Sequence, residues 1–169
     1  MAIIFLQKRV FSVVLLLVLF LSSVTAAKNN KVQAGALASG DQEVPPVSPT
    51  DTSASVELKF DKQLTKVKYE LNIENGVAVT QSHLHCGPVG VNGPIVAFLF
   101  GKIDAGVDFD DDKVKGTIVD ANIQDQNCGT GTINSVASLL EAIQDGLIYL
   151  NVHTLAHPGG EVRGQVSVN

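Results

Sequence analysis

From Val32 onward the chain alternates apolar and polar residues in short runs, the period-two pattern of β-strands with one buried face. Val32 to Leu37 reads as a first strand, and Pro45, Pro46 and Pro49 then forbid a regular ladder, so GDQEVPPVSP is expected to run as an extended edge or crossover segment. Ala54, Val56, Leu58 and Phe60 alternate with polar residues, and after a turn at Asp61 to Leu64 the pattern resumes at Val67, Tyr69, Leu71 and Ile73, which predicts a β-hairpin. Asn75-Gly76 marks the next turn, Val77 to His85 continues the alternation, and the glycine-rich GPVGVNGP leads into the apolar run Ile95 to Phe100. Val114 to Val119, Leu147 to His153 and Val162 to Val168 complete the set. One segment breaks the pattern: Ser135 can cap a helix, Val136, Leu139, Leu140 and Ile143 recur at helical spacing, and Gly146 sits where a terminating glycine belongs. The expected fold is all-β, a Greek-key or immunoglobulin-like β-sandwich of seven to eight strands with one short helix.

The start of the chain sets the compartment. Lys8 and Arg9 precede an apolar run from Val10 to Leu21, and Val24, Ala26 and Ala27 supply small residues for cleavage. Residues 1–27 therefore read as a signal peptide and residues 28–169 as one mature domain. The run is shorter than the ~20 residues a spanning helix needs, so no membrane span is expected in the mature protein. Two of the 12 basic residues lie in this leader, and 17 acidic ones do not. An acidic surface without Lys/Arg clusters argues against nucleic acid as a partner. The run Asp108, Asp110, Asp111, Asp112 lacks the glycine and glutamate spacing of a calcium loop and is expected to be a solvated turn.

The chain has 2 cysteines, and in an oxidising compartment Cys86 and Cys128 are expected to pair. The alternative is a thiolate metal ligand at Cys86. All 4 histidines fall in two segments, SHLHCGP and NVHTLAHPGGEVRGQ. His83 and His85, two apart on a strand, share a face with Cα atoms ~6.5–7 Å apart. With His153 from another strand, and His157 or a carboxylate as a fourth ligand, they form a donor set for copper or zinc. Folding is expected to bring the two segments together where their strands end. Hydrogen-bonded structural histidines are the competing reading. Glu161 and Arg163, also two apart, are expected to pair with one another or with neighbouring loops, as an ion pair or as a binding feature.

At QEVPPV (Gln42 to Val47), HLHCGPVGVNGPIV (His83 to Val96) and YLNVHTLAHPGGEVRGQV (Tyr149 to Val166) the chain resembles the CHRD domain, first described as a repeat in chordin, an extracellular antagonist of bone morphogenetic proteins. Three motifs in the correct order carry the resemblance over most of the mature chain. By position it marks Glu43, Pro45, Pro46, His83, His85, Gly87, Gly93, Pro94, His153, Thr154, Pro158, Gly160, Glu161, Arg163 and Gly164; His157 and Cys86 lie outside the common pattern. Single-domain relatives are secreted proteins. The cysteine-rich modules through which chordin binds growth factors have no counterpart here, so that antagonism does not transfer. The His-x-His pair on a Greek-key strand is also similar to that of copper–zinc superoxide dismutase, whose remaining ligands are not identified in this chain.

Two function classes follow. One is a secreted, non-enzymatic CHRD-domain binding module that engages an extracellular protein or wall polymer. The other is a histidine-based copper- or zinc-binding protein, with a redox role within its reach. No Gly-x-Ser-x-Gly elbow is present and no catalytic residue is expected.

Overall fold

The computed structural model describes residues 31–129 and 131–169, so the expected signal peptide lies outside the described residues. Among the described residues there are twelve strand segments: β1 (Gln33–Ala38), β2 (Ser53–Phe60), β3 (Lys66–Glu74), β4 (Gly76–Cys86), β5 (Ile95–Gly101), β6 (Val107–Phe109), β7 (Asp112–Val119), β8 (Gln126–Cys128), β9 (Gly131–Ile133), β10 (Ile148–Thr154), β11 (Val162–Gln165) and β12 (Ser167–Val168). β6, β8, β9 and β12 have three residues or fewer, and the other eight match the expected strand number. They form two antiparallel sheets, β12-β1-β2-β3-β7 and β11-β10-β4-β5 with β6 also on β4, while β8 and β9 make a separate hairpin.

The two sheets enclose one core, as the alternation predicts. Val56, Leu58, Phe60, Val67, Leu71 and Ile73 come from the first sheet, and Val79, Leu84, Val96, Leu99, Ile148, Leu150 and Val152 from the second, all fully buried or nearly so. Helix α1 (Val136–Gln144) starts where Ser135 accepts a hydrogen bond from the Ser138 amide, and its buried Val136, Leu139, Leu140 and Ile143 close one side of the core. Gly146 follows at φ 71°, a left-handed conformation that suits glycine.

Cys86 and Cys128 form the expected disulfide, with Cα atoms 5.7 Å apart. Cys86 is therefore no thiolate ligand. The bond ties the end of β4 to β8.

Two expectations are corrected. The final run Val162 to Val168 is not one strand: β11 pairs with β10 in the second sheet and β12 with β1 in the first. Val166, buried at the crossing, donates its amide to the Ile148 carbonyl at 2.8 Å. The histidine-bearing strands also do not meet at their ends. β4 and β10 pair antiparallel along most of their length, His83 opposite Asn151 and His85 opposite Tyr149, so the histidines meet on a face of the sheet.

Candidate functional site

Period two decides which side chains share that face. Along β10, Ile148, Leu150 and Val152 point into the core, which leaves Tyr149, Asn151 and His153 on the outer surface of the second sheet. On β4 the core-facing Leu84 separates His83 from His85, and β11 adds Arg163 opposite Asn151. An outer face of polar residues is ordinarily wet. Here every residue of β10 is buried, and so are His83, His85 and Arg163.

Three irregular segments roof this face. The first is the proline-rich stretch 39–50, in which the buried Glu43 accepts a hydrogen bond from the Asn151 side chain. The second is the loop 87–94, held by the Arg163 guanidinium, which donates to the Pro88 carbonyl at 2.9 Å, the Val91 carbonyl at 3.0 Å and the Asn92 side-chain oxygen at 3.1 Å. Asn92 in turn donates to the Val44 carbonyl at 2.6 Å and joins the first two segments. The third, 155–161, returns through Gly160 at φ 128°, where a Cβ atom would stand 2.6 Å from a Glu43 carboxylate oxygen and 2.8 Å from the Asn151 amide.

Beneath the roof three imidazoles converge. His83, His85 and His153 each offer one ring nitrogen within 4.8 Å of the others. The His85 Nδ1–H donates to the Gly93 carbonyl and the His153 Nδ1–H to the Pro158 carbonyl, both at 2.9 Å. These bonds fix the tautomers and turn both Nε2 lone pairs inward, the arrangement carbonyls impose on metal-binding histidines. The His83 Nδ1–H lies 3.2 Å from His153 Nε2, which accepts its hydrogen bond. Nε2 of His83 and Nε2 of His85 then have no partner although both are buried. Buried polar atoms are ordinarily satisfied, so two orphaned lone pairs in one cluster point to a missing acceptor of electrons.

The electrostatics keep these rings neutral. Burial pushes His83 down to about 3, with the neighbouring His153 and His85 adding to the effect. Burial takes His85 to about 4 against its Gly93 hydrogen bond, and Arg163 lowers it further. Burial also lowers His153, again against its bond to a carbonyl. Neutral imidazole is the form that ligates metal. An ion ~2.0 Å from each nitrogen requires N···N separations of about 3.4 Å. Ring nitrogens of the three histidines lie within 4.8 Å of one another, so a modest inward movement of the rings would complete the set.

Around the cluster the packing is aromatic. Tyr149 stacks on His85 with ring centroids 5.0 Å apart and 13° between planes, and Arg163 lies 3.6 Å over the Tyr149 ring. Phe98 meets His83 edge-on at 4.3 Å. Gly93, whose carbonyl orients His85, passes so close to Cys86 that a Cβ atom would fall 1.6 Å from the Cys86 carbonyl oxygen.

His157, the proposed fourth donor, stands outside this cluster. Its backbone bonds to Thr154 and Gly160. Glu161 and Arg163 do not pair with one another. Glu161 accepts hydroxyls from Thr50 at 2.6 Å and Thr52 at 2.9 Å; burial raises its pKa, but these bonds and one from Thr154 hold it below the ordinary carboxylate value. Glu43 moves the other way, raised by burial against the Asn151 bond. A cleft of about 1060 Å³ is lined by Asp51, Asp108, Asp110, Asp112 and Glu161 among others and reaches none of the three histidines. Asp108, Asp110, Asp111 and Asp112 are exposed, as expected, but Asp108 lies in β6 and Asp112 opens β7, so only Asp110 and Asp111 form the turn.

The roles of Tyr149, Asn151 and Glu43 were not anticipated from the sequence. Tyr149 and Asn151 alternate with His153 in YLNVH, and that period was the available signal.

Comparison with known proteins agrees with the motif order. No curated protein matches the chain, and no solved structure matches it. A family model described as the CHRD domain matches residues 34–166. That span holds both sheets except β12, the disulfide and all three roof segments, and the chain belongs to the CHRD-domain family.

Proposed function

We propose that this CHRD-domain protein is secreted and holds one transition-metal ion, copper or zinc, between His83, His85 and His153. The observation that carries the reading is the pair of buried, unpartnered Nε2 atoms beside a third imidazole whose tautomer is fixed by a backbone carbonyl. Bound metal would take up these lone pairs and replace the His83–His153 hydrogen bond. Secretion is supported by the apolar leader read from the sequence and by the Cys86–Cys128 disulfide.

Metal analysis on protein purified without a histidine tag, equilibrated with zinc and with copper, tests this. Loading of one ion per chain is expected, abolished in His85→Ala and in His153→Ala. Wild-type protein that stays metal-free while both variants lose stability by roughly 1–3 kcal/mol would mean structural histidines and overturn the reading.

A second reading rests on the loop 87–94, whose Val89 and Val91 are 78% and 51% exposed. As a binding module the domain would present these valines to an extracellular protein or wall polymer. Val89→Asp should then abolish capture of that partner and leave metal loading unchanged.

A further inference from the structure

We infer that the three-imidazole centre is built for copper in its monovalent state, with Arg163 as the positioning residue that biases it against divalent ions; this deepens the metal reading above and rests on it.

Coordination number argues first. Zinc in proteins takes four ligands, or three and an open water position. Here three nitrogens converge and, among the described residues, nothing supplies a fourth: Cys86 is in a disulfide, Tyr149 stacks on His85, Phe98 packs T-shaped against His83, and His157 lies elsewhere. A water ligand has no open path, because His83 is fully buried and His85 and His153 are 8% and 6% exposed. Monovalent copper, with its filled d shell, is satisfied by two or three imidazoles.

Charge argues in the same direction. No carboxylate belongs to the donor cluster among the described residues; the buried Glu43 on the same face is bonded to Asn151 and feels Arg163. The charged side chain that does act on the cluster is cationic: Arg163, 2% exposed and without an ion-pair partner among the described residues. Placing an ion in a dry site costs desolvation energy that grows with the square of its charge. A divalent ion there, with no carboxylate among its ligands and a guanidinium acting on the cluster, is penalised more than a monovalent one.

Arg163 also fixes the geometry. It clamps the Pro88 and Val91 carbonyls of the loop whose Gly93 carbonyl orients His85, and it covers Tyr149, which stacks on that same imidazole. One side chain thus sets the angle of His85 and the electric field it experiences.

The test uses the mature secreted chain. Anaerobic titration with copper(I) against a colorimetric copper(I) chelator is run beside titrations with copper(II) and zinc, and the midpoint of bound copper is measured by voltammetry. One copper(I) per chain is expected, at least a hundredfold tighter than copper(II), which places the midpoint at least about 118 mV above the aqueous couple. Arg163→Gln should keep the stoichiometry but lower the midpoint, while Arg163→Lys, which retains the charge, should hold it closer to wild type. Copper(II) or zinc bound as tightly as copper(I) would overturn the inference and leave the three-histidine site standing. No ion bound at all would remove that site and the inference with it. An unchanged midpoint in Arg163→Gln would strike out the role of Arg163.

Discussion

The outer faces of the two sheets start from the same pattern and end in opposite environments. On the first sheet Glu57, Lys59, Glu70, Lys113 and Lys115 face water, with Glu70 bridged to Lys113 at 2.8 Å and to Lys115 at 2.9 Å. On the second sheet Tyr149, Asn151, His153 and Arg163 alternate with core residues in the same way, yet all are buried under the three roof segments. Alternation reports that a strand has two unlike faces and is silent about what covers the polar one. Exposed ion pairs are replaceable because water solvates whatever remains. A roofed polar residue leaves its partners stranded.

That contrast can be broken in several places. The largest effect is expected at the covalent anchor of the second sheet: Cys128→Ser should destabilise the protein by about 4 kcal/mol in denaturant unfolding, as the chain-entropy model gives for a loop of this length. Asn151→Ala comes next, at about 2–3 kcal/mol, since Glu43 and the Val162 carbonyl both lose a buried donor. If it behaves like a surface substitution, the roof is not tight.

Acid should separate the two faces by sign and range. The folded state holds His83 near 3 and His85 near 4, and lowers His153, all below the ordinary histidine value of about 6.5. The unfolded chain therefore binds more protons at mildly acidic pH. Stability from these groups is complete above pH ~6.5 and is lost as pH falls towards 4, each group contributing up to about 1.4 kcal/mol per pH unit in that window. A flat profile between pH 7 and 4.5 would contradict the burial of the cluster. In the metal-loaded protein the same titration should release the ion as protons compete for nitrogen.

The smallest effect belongs to the wet face. Glu70→Gln removes both bridges to Lys113 and Lys115 and should leave the melting midpoint within error, because all three side chains are solvated. A large loss there would erase the distinction between the faces.

Legibility in the sequence follows the same divide. The β2–β3 hairpin was readable from Ala54, Val56, Leu58 and Phe60 because that ribbon is buried on one side only. Helix α1 was readable because Ser135 caps it and Gly146 ends it. His83 and His85 were correctly placed on one face, since period two is a local property. Their contact with His153 on the face, rather than at strand ends, depends on the antiparallel register of β4 and β10, which no local pattern encodes. The roof was invisible for a related reason: its prolines and glycines carry no period, and Glu43 meets Asn151 across a separation of 108 residues. Of the two expectations for Glu161 and Arg163, the structure has pairing with neighbouring loops: hydroxyls of Thr50 and Thr52 for one, carbonyls of Pro88 and Val91 for the other. β6, β8 and β9 are too short to show a repeat.

The seal over the second sheet also has a consequence in time. Any proton, ion or oxidant bound for the three imidazoles must wait until part of the 39–50, 87–94 or 155–161 covering lifts away. Such local openings occur at free energies below that of global unfolding. Access to the cluster is thus a clock set by loop opening rather than by diffusion, and whatever is enclosed when the chain folds stays for as long as that clock allows.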